Sequence, residues 1–84
     1  MKIKKLSRRL TKELGIVNGY VRLDTISICD PDEDACYIEI KGAYGVPDGE
    51  DNSFQNDFEL FYPDGSSIEY VAGLFRATID ADGR

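Results

Sequence analysis

Three observations predict an α+β fold, with an N-terminal helix, a three-stranded antiparallel β-meander and a C-terminal helix. A leucine stripe ends in a glycine near the N-terminus. Three runs of alternating apolar and polar residues follow, separated by turn residues. A serine-led segment near the C-terminus has apolar residues at helical spacing. The 84 residues allow one small acidic domain, residues 1–84. A chain this size buries roughly 60–65% of its unfolded surface. Its helices are therefore expected to cover one face of the sheet, the face carrying the isoleucines and phenylalanines.

In the first element, Leu6, Leu10 and Leu14 recur at i, i+4 and i+8, Ile3 extends the stripe, and Gly15 supplies the stop. This predicts a helix over about residues 4–14 with a leucine face and a basic face. Ser7 is an N-cap, or an interior residue if the helix starts earlier. Cations crowd the first turns, where the helix dipole disfavours them. An acidic neighbour, inside or outside the protein, would relieve that.

Residues 20–29 read as a strand whose apolar parity flips near Asp24-Thr25, from Val21 and Leu23 to Ile26 and Ile28. A bulge or a strand covered on both faces would account for the flip. A second strand, 36–44, carries Ile38 and Ile40 on one face, and Pro31–Ala35 is a turn by composition. Burying the isoleucines together pairs Ile26 with Ile40 and Ile28 with Ile38. Cys29 and Cys36 then point to opposite faces and stay reduced thiols. The other register pairs the two cysteines but sets Thr25 and Ser27 against the isoleucines; the first is preferred.

Residues 45–53 form a long polar loop. A third strand at about 57–62 places Phe58, Leu60 and Tyr62 on one face and Asp57, Glu59 and Phe61 on the other, and Pro63-Asp-Gly65 turns the chain. Ser66-Ser-Ile-Glu69 then fits a capping box, with Ile68, Val71, Ala72, Phe75 and Ile79 on one helical face. Gly73 costs about 1 kcal/mol relative to alanine in a helix interior. A fourth strand over 67–72 is the competing reading, and the helix is favoured. The open sheet face would carry Tyr37, Glu39, Lys41, Glu59 and Phe61.

Charge is segregated along the chain. Residues 1–12 hold Lys2, Lys4, Lys5, Arg8, Arg9 and Lys12 and no acid, while the remainder holds all 16 acids and four bases. The two blocks, +6 and −12, give the formal net charge of −6. Either the basic helix (Lys4, Lys5, Arg8, Arg9, Lys12) lies over the protein's own acidic surface, or the molecule presents two interaction surfaces of opposite sign. Self-complementation is the preferred reading, since neighbours in so small a domain lie within a few Debye lengths.

Several function classes are excluded or disfavoured. The sequence has no histidine, which removes Ser-His, Cys-His and histidine-metal chemistry. Two cysteines cannot complete a four-ligand zinc site in one chain. Asp30-Pro-Asp32-Glu-Asp34 begins like a calcium loop, but Ala35 stands where the turn needs glycine and Lys41 where a bidentate glutamate is needed. No metal, cofactor or enzyme activity is expected. No apolar run approaches the ~20 residues that span a bilayer. With no apolar segment after the basic N-terminus to make a signal peptide, a cytoplasmic location is expected. Direct nucleic-acid binding by the helix is opposed by the −12 of the remaining chain.

Protein binding remains. The expected contact residues are the loop acids Asp30, Asp32, Glu33, Asp34, Asp48, Glu50 and Asp51, with Tyr37 and Tyr44 as aromatic anchors beside Phe61. The expected partner is a basic protein, with nucleic-acid-binding enzymes as one class. Carboxylates two residues apart on a strand span about 6–7 Å, suited to standing where phosphates would stand. Small acidic proteins that block nucleases, restriction enzymes or CRISPR effectors share this logic of charge and size, and a toxin nuclease or a phage operon among the neighbouring genes would nearly settle the class. The alternative is a structural assembly subunit whose basic helix docks on an acidic neighbour. A monomer or a small homo-oligomer is expected.

Overall fold

The computed structural model describes residues 2–46 and 56–82. The chain runs α1 (Ile3–Leu14), β1 (Tyr20–Asp30), β2 (Ala35–Gly45), β3 (Asn56–Pro63) and α2 (Ile68–Asp82). The strands form one antiparallel sheet in the order β1-β2-β3. The last segment is a helix, not a fourth strand, and both helices pack on the same sheet face. Of the loop expected over residues 45–53, Gly45 instead ends β2, and the part with the acids Asp48, Glu50 and Asp51 lies outside the described residues.

Helix α1 buries Leu6 and Leu10 and partly buries Leu14, as the stripe requires. Gly15 ends it in the left-handed conformation, φ 63°, which glycine adopts without a Cβ penalty. Lys2 occupies the N-cap position without a side-chain capping bond. Ser7 is an interior residue, and its hydroxyl donates to the Val21 carbonyl at 2.7 Å. One turn on, Thr11 Oγ1 accepts the Val21 N–H at 3.2 Å. Two hydroxyls of α1 thus grip both backbone groups of one residue in β1. At the other end of α1, the Arg76 guanidinium of α2 donates to the Glu13 carbonyl, placing a cation where the helix dipole favours it.

The core joins Leu6 and Leu10 to Val21, Leu23, Ile40, Leu60 and Tyr62, and to Val71 and Phe75 of α2. Phe75 meets Phe58 at a ring-centroid distance of 5.0 Å and Tyr44 at 5.8 Å, both edge to face. In α2, Val71, Ala72 and Phe75 are buried, with Ile68 and Ile79 packed partly against them. Ser67, not Ser66, caps the helix: its Oγ accepts the Tyr70 N–H at 3.1 Å. Ser66 instead donates its hydroxyl to the Pro63 carbonyl at 2.6 Å. The expected capping box is therefore shifted by one residue, and Glu69 falls a position short of the reciprocal bond.

The hairpin register differs from the preferred expectation. Pairing runs unbroken from Tyr20↔Gly45 to Asp30↔Ala35, placing Thr25 opposite Ile40, Ser27 opposite Ile38 and Cys29 opposite Cys36. There is no bulge and no cover on both faces. Val21 and Leu23 must lie beneath α1, and a regular strand then carries Thr25 and Ser27 to the helix side and Ile26 and Ile28 to the open side. The helices stop short of the hairpin tip, so no cover exists there to reward the isoleucine register. The molecule is accordingly long, 46 × 24 × 22 Å. Cys29 and Cys36 form a disulfide, with Cα atoms 4.0 Å apart. The expectation of reduced thiols rested on the register that is not adopted and on a cytoplasmic location, and the disulfide corrects it.

Candidate protein-binding surface

The hairpin tip gathers Asp30, Asp32, Glu33 and Asp34. Asp30 Oδ1 accepts the Asp32 N–H at 2.9 Å, and Asp34 closes the turn at φ 51°, a conformation aspartate tolerates. Around this turn the three latter acids are exposed. Among the described residues, no group of three or more cysteines, aspartates or glutamates is arranged to hold a metal ion.

From the tip, the open sheet face continues in registered rows. Ile28, Tyr37 and Pro63 form the first, Ile26, Glu39 and Phe61 the second, and Asp24, Lys41 and Glu59 the third. Tyr37 stacks on Phe61 with ring centroids 5.0 Å apart and planes 16° from parallel. Phe61 remains 56% exposed, Ile26 50% and Ile28 41%. Exposed large apolar side chains adjoining one another, rimmed by acids, have the composition of a protein-contact surface. The Lys41 ammonium lies 3.8 Å from the Glu39 carboxylate, leaving Asp24, Asp57, Glu59 and Asp30 as further acids of this face.

Tyr44 is not part of the surface. It points to the helix side and is 7% exposed, held between Phe58 and Phe75. Its place four residues from Ile40, on the core parity, assigns it to the interior. Ile26 and Ile28 are the contact candidates that sequence reasoning assigned to the core; the parity flip at Asp24-Thr25 was their signal.

The basic residues of the N-terminal segment lie on the helix side of the molecule. Lys2 before α1 and Lys4, Lys5, Arg8 and Lys12 on it are exposed, and Arg9 pairs with Glu13 of the same helix at 3.1 Å. Among the described residues, no ion pair joins α1 to the acids of the tip or the sheet. The preferred reading, that α1 neutralises the protein's own acidic surface, has no such pair behind it there. Between α1 and β1 runs a groove of about 530 Å³, with Lys4, Arg8 and Arg22 on its walls beside Ile3 and Tyr20.

Comparison with known proteins finds no matching family model, no matching curated protein and no matching solved structure. No helix among the described residues is long and apolar enough to cross a membrane.

Proposed function

We propose that this chain is a non-catalytic binding protein that masks a basic protein target. The hairpin tip and the open sheet face make the contact. The observation carrying the reading is an anionic surface that runs from Asp32, Glu33 and Asp34 onto a face where Ile26, Ile28, Tyr37 and Phe61 stand exposed. Fixed carboxylates steer a cationic partner and set its orientation, while the apolar patch supplies area that is desolvated on contact. A nucleic-acid-binding enzyme is a fitting target, because its own ligand is a chain of phosphates and the carboxylates take their place. The test is affinity capture with the tagged protein, repeated with D32N/E33Q/D34N and with Y37A/F61A. A basic protein retained by the parent, released by salt and lost from both variants supports the reading. Equal retention by the parent and both variants overturns it.

A second reading, an assembly subunit using its basic helix against an acidic neighbour, is favoured by the separation of α1 from the acids of its own sheet. Removing residues 1–12 would delete Leu6 and Leu10 from the core, so charge reversal, K4E/R8E, is the informative variant. Loss of a salt-sensitive oligomer in that variant supports assembly, and a parent chain that stays monomeric at high concentration ends it.

A further inference from the structure

Strand β1 is an edge of the sheet, and its backbone polarity can be read from three independent contacts. In an antiparallel ladder, opposed residues alternate between pairs that exchange hydrogen bonds and closer pairs whose N–H and C=O groups point away from each other. Cys29 and Cys36 are a close pair, with Cα atoms 4.0 Å apart. The Cys36 carbonyl accordingly turns away from β1 and accepts the Asp64 N–H at 2.9 Å. Val21, which shares the odd parity of Cys29, sends its N–H and C=O outward to Thr11 and Ser7 of α1. The outward groups of β1 are therefore those of residues 21, 23, 25, 27 and 29. The α1 hydroxyls occupy the first of these.

The edge from Leu23 to Cys29 has no proline, no lysine and no bulge, the devices by which sheets usually block strand addition. We infer that this edge pairs with the same edge of a second copy, antiparallel and about a two-fold axis. The length of the open stretch fixes the register. Full overlap of residues 23–29 with themselves puts Ile26 on the axis against Ile26 of the other copy. Leu23 then opposes Cys29, and Thr25 opposes Ser27, so every pairing of outward groups joins odd to odd, as the ladder requires. A register displaced by one residue would set outward groups against inward ones.

That register also makes the charges meet. It places Arg22 opposite Asp30 of the other copy, and Asp30 opposite its Arg22. Past Asp30, Pro31 and Asp32 come alongside Val21 and Tyr20, where the groove walled by Lys4 and Arg8 lies. Each copy thus lays its acidic tip against the basic helix of the other. The two halves of the contact are identical, as a two-fold interface demands. On the open face, Ile26 meets Ile26 of the other copy across the axis, and Ile28, which opposes Asp24, lies diagonal to it; Ile26 and Ile28 are 50% and 41% exposed in the single chain. The inference gives the assembly reading a geometry. The pairing covers Ile26, Ile28 and the tip acids that the target-masking reading also uses, so a basic target would compete with the second copy, and of that reading's residues only Tyr37 and Phe61 stay uncovered.

The experiment is sedimentation equilibrium of the intact, oxidised protein at low and high salt, with far-ultraviolet circular dichroism to verify folding. A dimer that dissociates with added salt is expected. Ser27→Pro removes one outward N–H at an edge position that tolerates proline, and it should leave the chain folded and monomeric. Asp30→Arg alone should weaken the dimer by about tenfold or more by setting two arginines together, and R22D/D30R should restore it. A parent chain that remains monomeric at low salt overturns both the dimer and the assembly reading. An oligomer lost in K4E/R8E but untouched by Ser27→Pro and by Asp30→Arg overturns the edge pairing alone.

Discussion

Gly42 is the residue on which the close approach of β3 to the hairpin depends. It lies on the core side of β2, between Ile40 and Tyr44, where the alternation would otherwise place a side chain. A Cβ there would meet the Arg22 carbonyl and would sit 2.8 Å from the Phe58 ring. Backbone cannot yield as a flexible side chain can, so Gly42→Ala should destabilise the fold by about 1–3 kcal/mol, read as a lower urea midpoint. Tyr62 offers a second test at this scale. Burial pushes its phenol above the ordinary tyrosine value, and the nearby Asp64 carboxylate pushes it the same way. The folded chain then holds this proton at a pH where the unfolded chain has released it. The associated stability is complete below about pH 10 and declines as the pH rises beyond it. Tyr62→Phe should show a flatter alkaline limb, and the stability difference between parent and variant should shrink as pH is raised through that range.

At the level of elements, the sequence carried the order and type of all five, because each has a local signal: a stripe and a glycine for α1, turn residues between the strands, a serine and 3.6-residue spacing for α2. The strand register was not legible, and the reason is specific. Apolar pairing judged within the hairpin favours Ile26 against Ile40, yet the outcome is set by α1, which needs Val21 and Leu23 beneath it. One decision inverts every side chain of β1, and with it the fate of Cys29 and Cys36. The cap of α2 moved by one serine for a similar reason, since Ser66 is committed to the Pro63 turn. The disulfide closes a short loop across the tip, for which chain-entropy arguments give about 2–3 kcal/mol. The oxidised chain should show no reactive thiol in denaturant, and C29S/C36S should lower the urea midpoint while preserving the helical circular dichroism signal.

Over the whole molecule, the separation of charge along the sequence becomes a separation in space. The acids of the described residues lie mainly at the tip and on the open face, and the lysines and arginines of residues 2–12 stand on the helix side. The tip acids Asp30, Asp32, Glu33 and Asp34 were legible as a turn from composition alone. The apolar part of the candidate surface was not, because Ile26 and Ile28 carry no mark of exposure except their parity against Val21 and Leu23. Tyr44 was misplaced for the converse reason: a tyrosine beside glycines looks peripheral until Phe58 and Phe75 are seen to enclose it.

The grip of Ser7 and Thr11 on Val21 has a consequence beyond anchoring a helix. By occupying that residue's outward N–H and C=O, it acts as a stop, measuring off how much of the strand any neighbour can add to. A mutation that loosened it would lengthen the exposed rim toward Tyr20 and unfix the register in which two chains can meet. In the proposed edge pairing the two hydroxyls are therefore as much a ruler as a fastening within the fold.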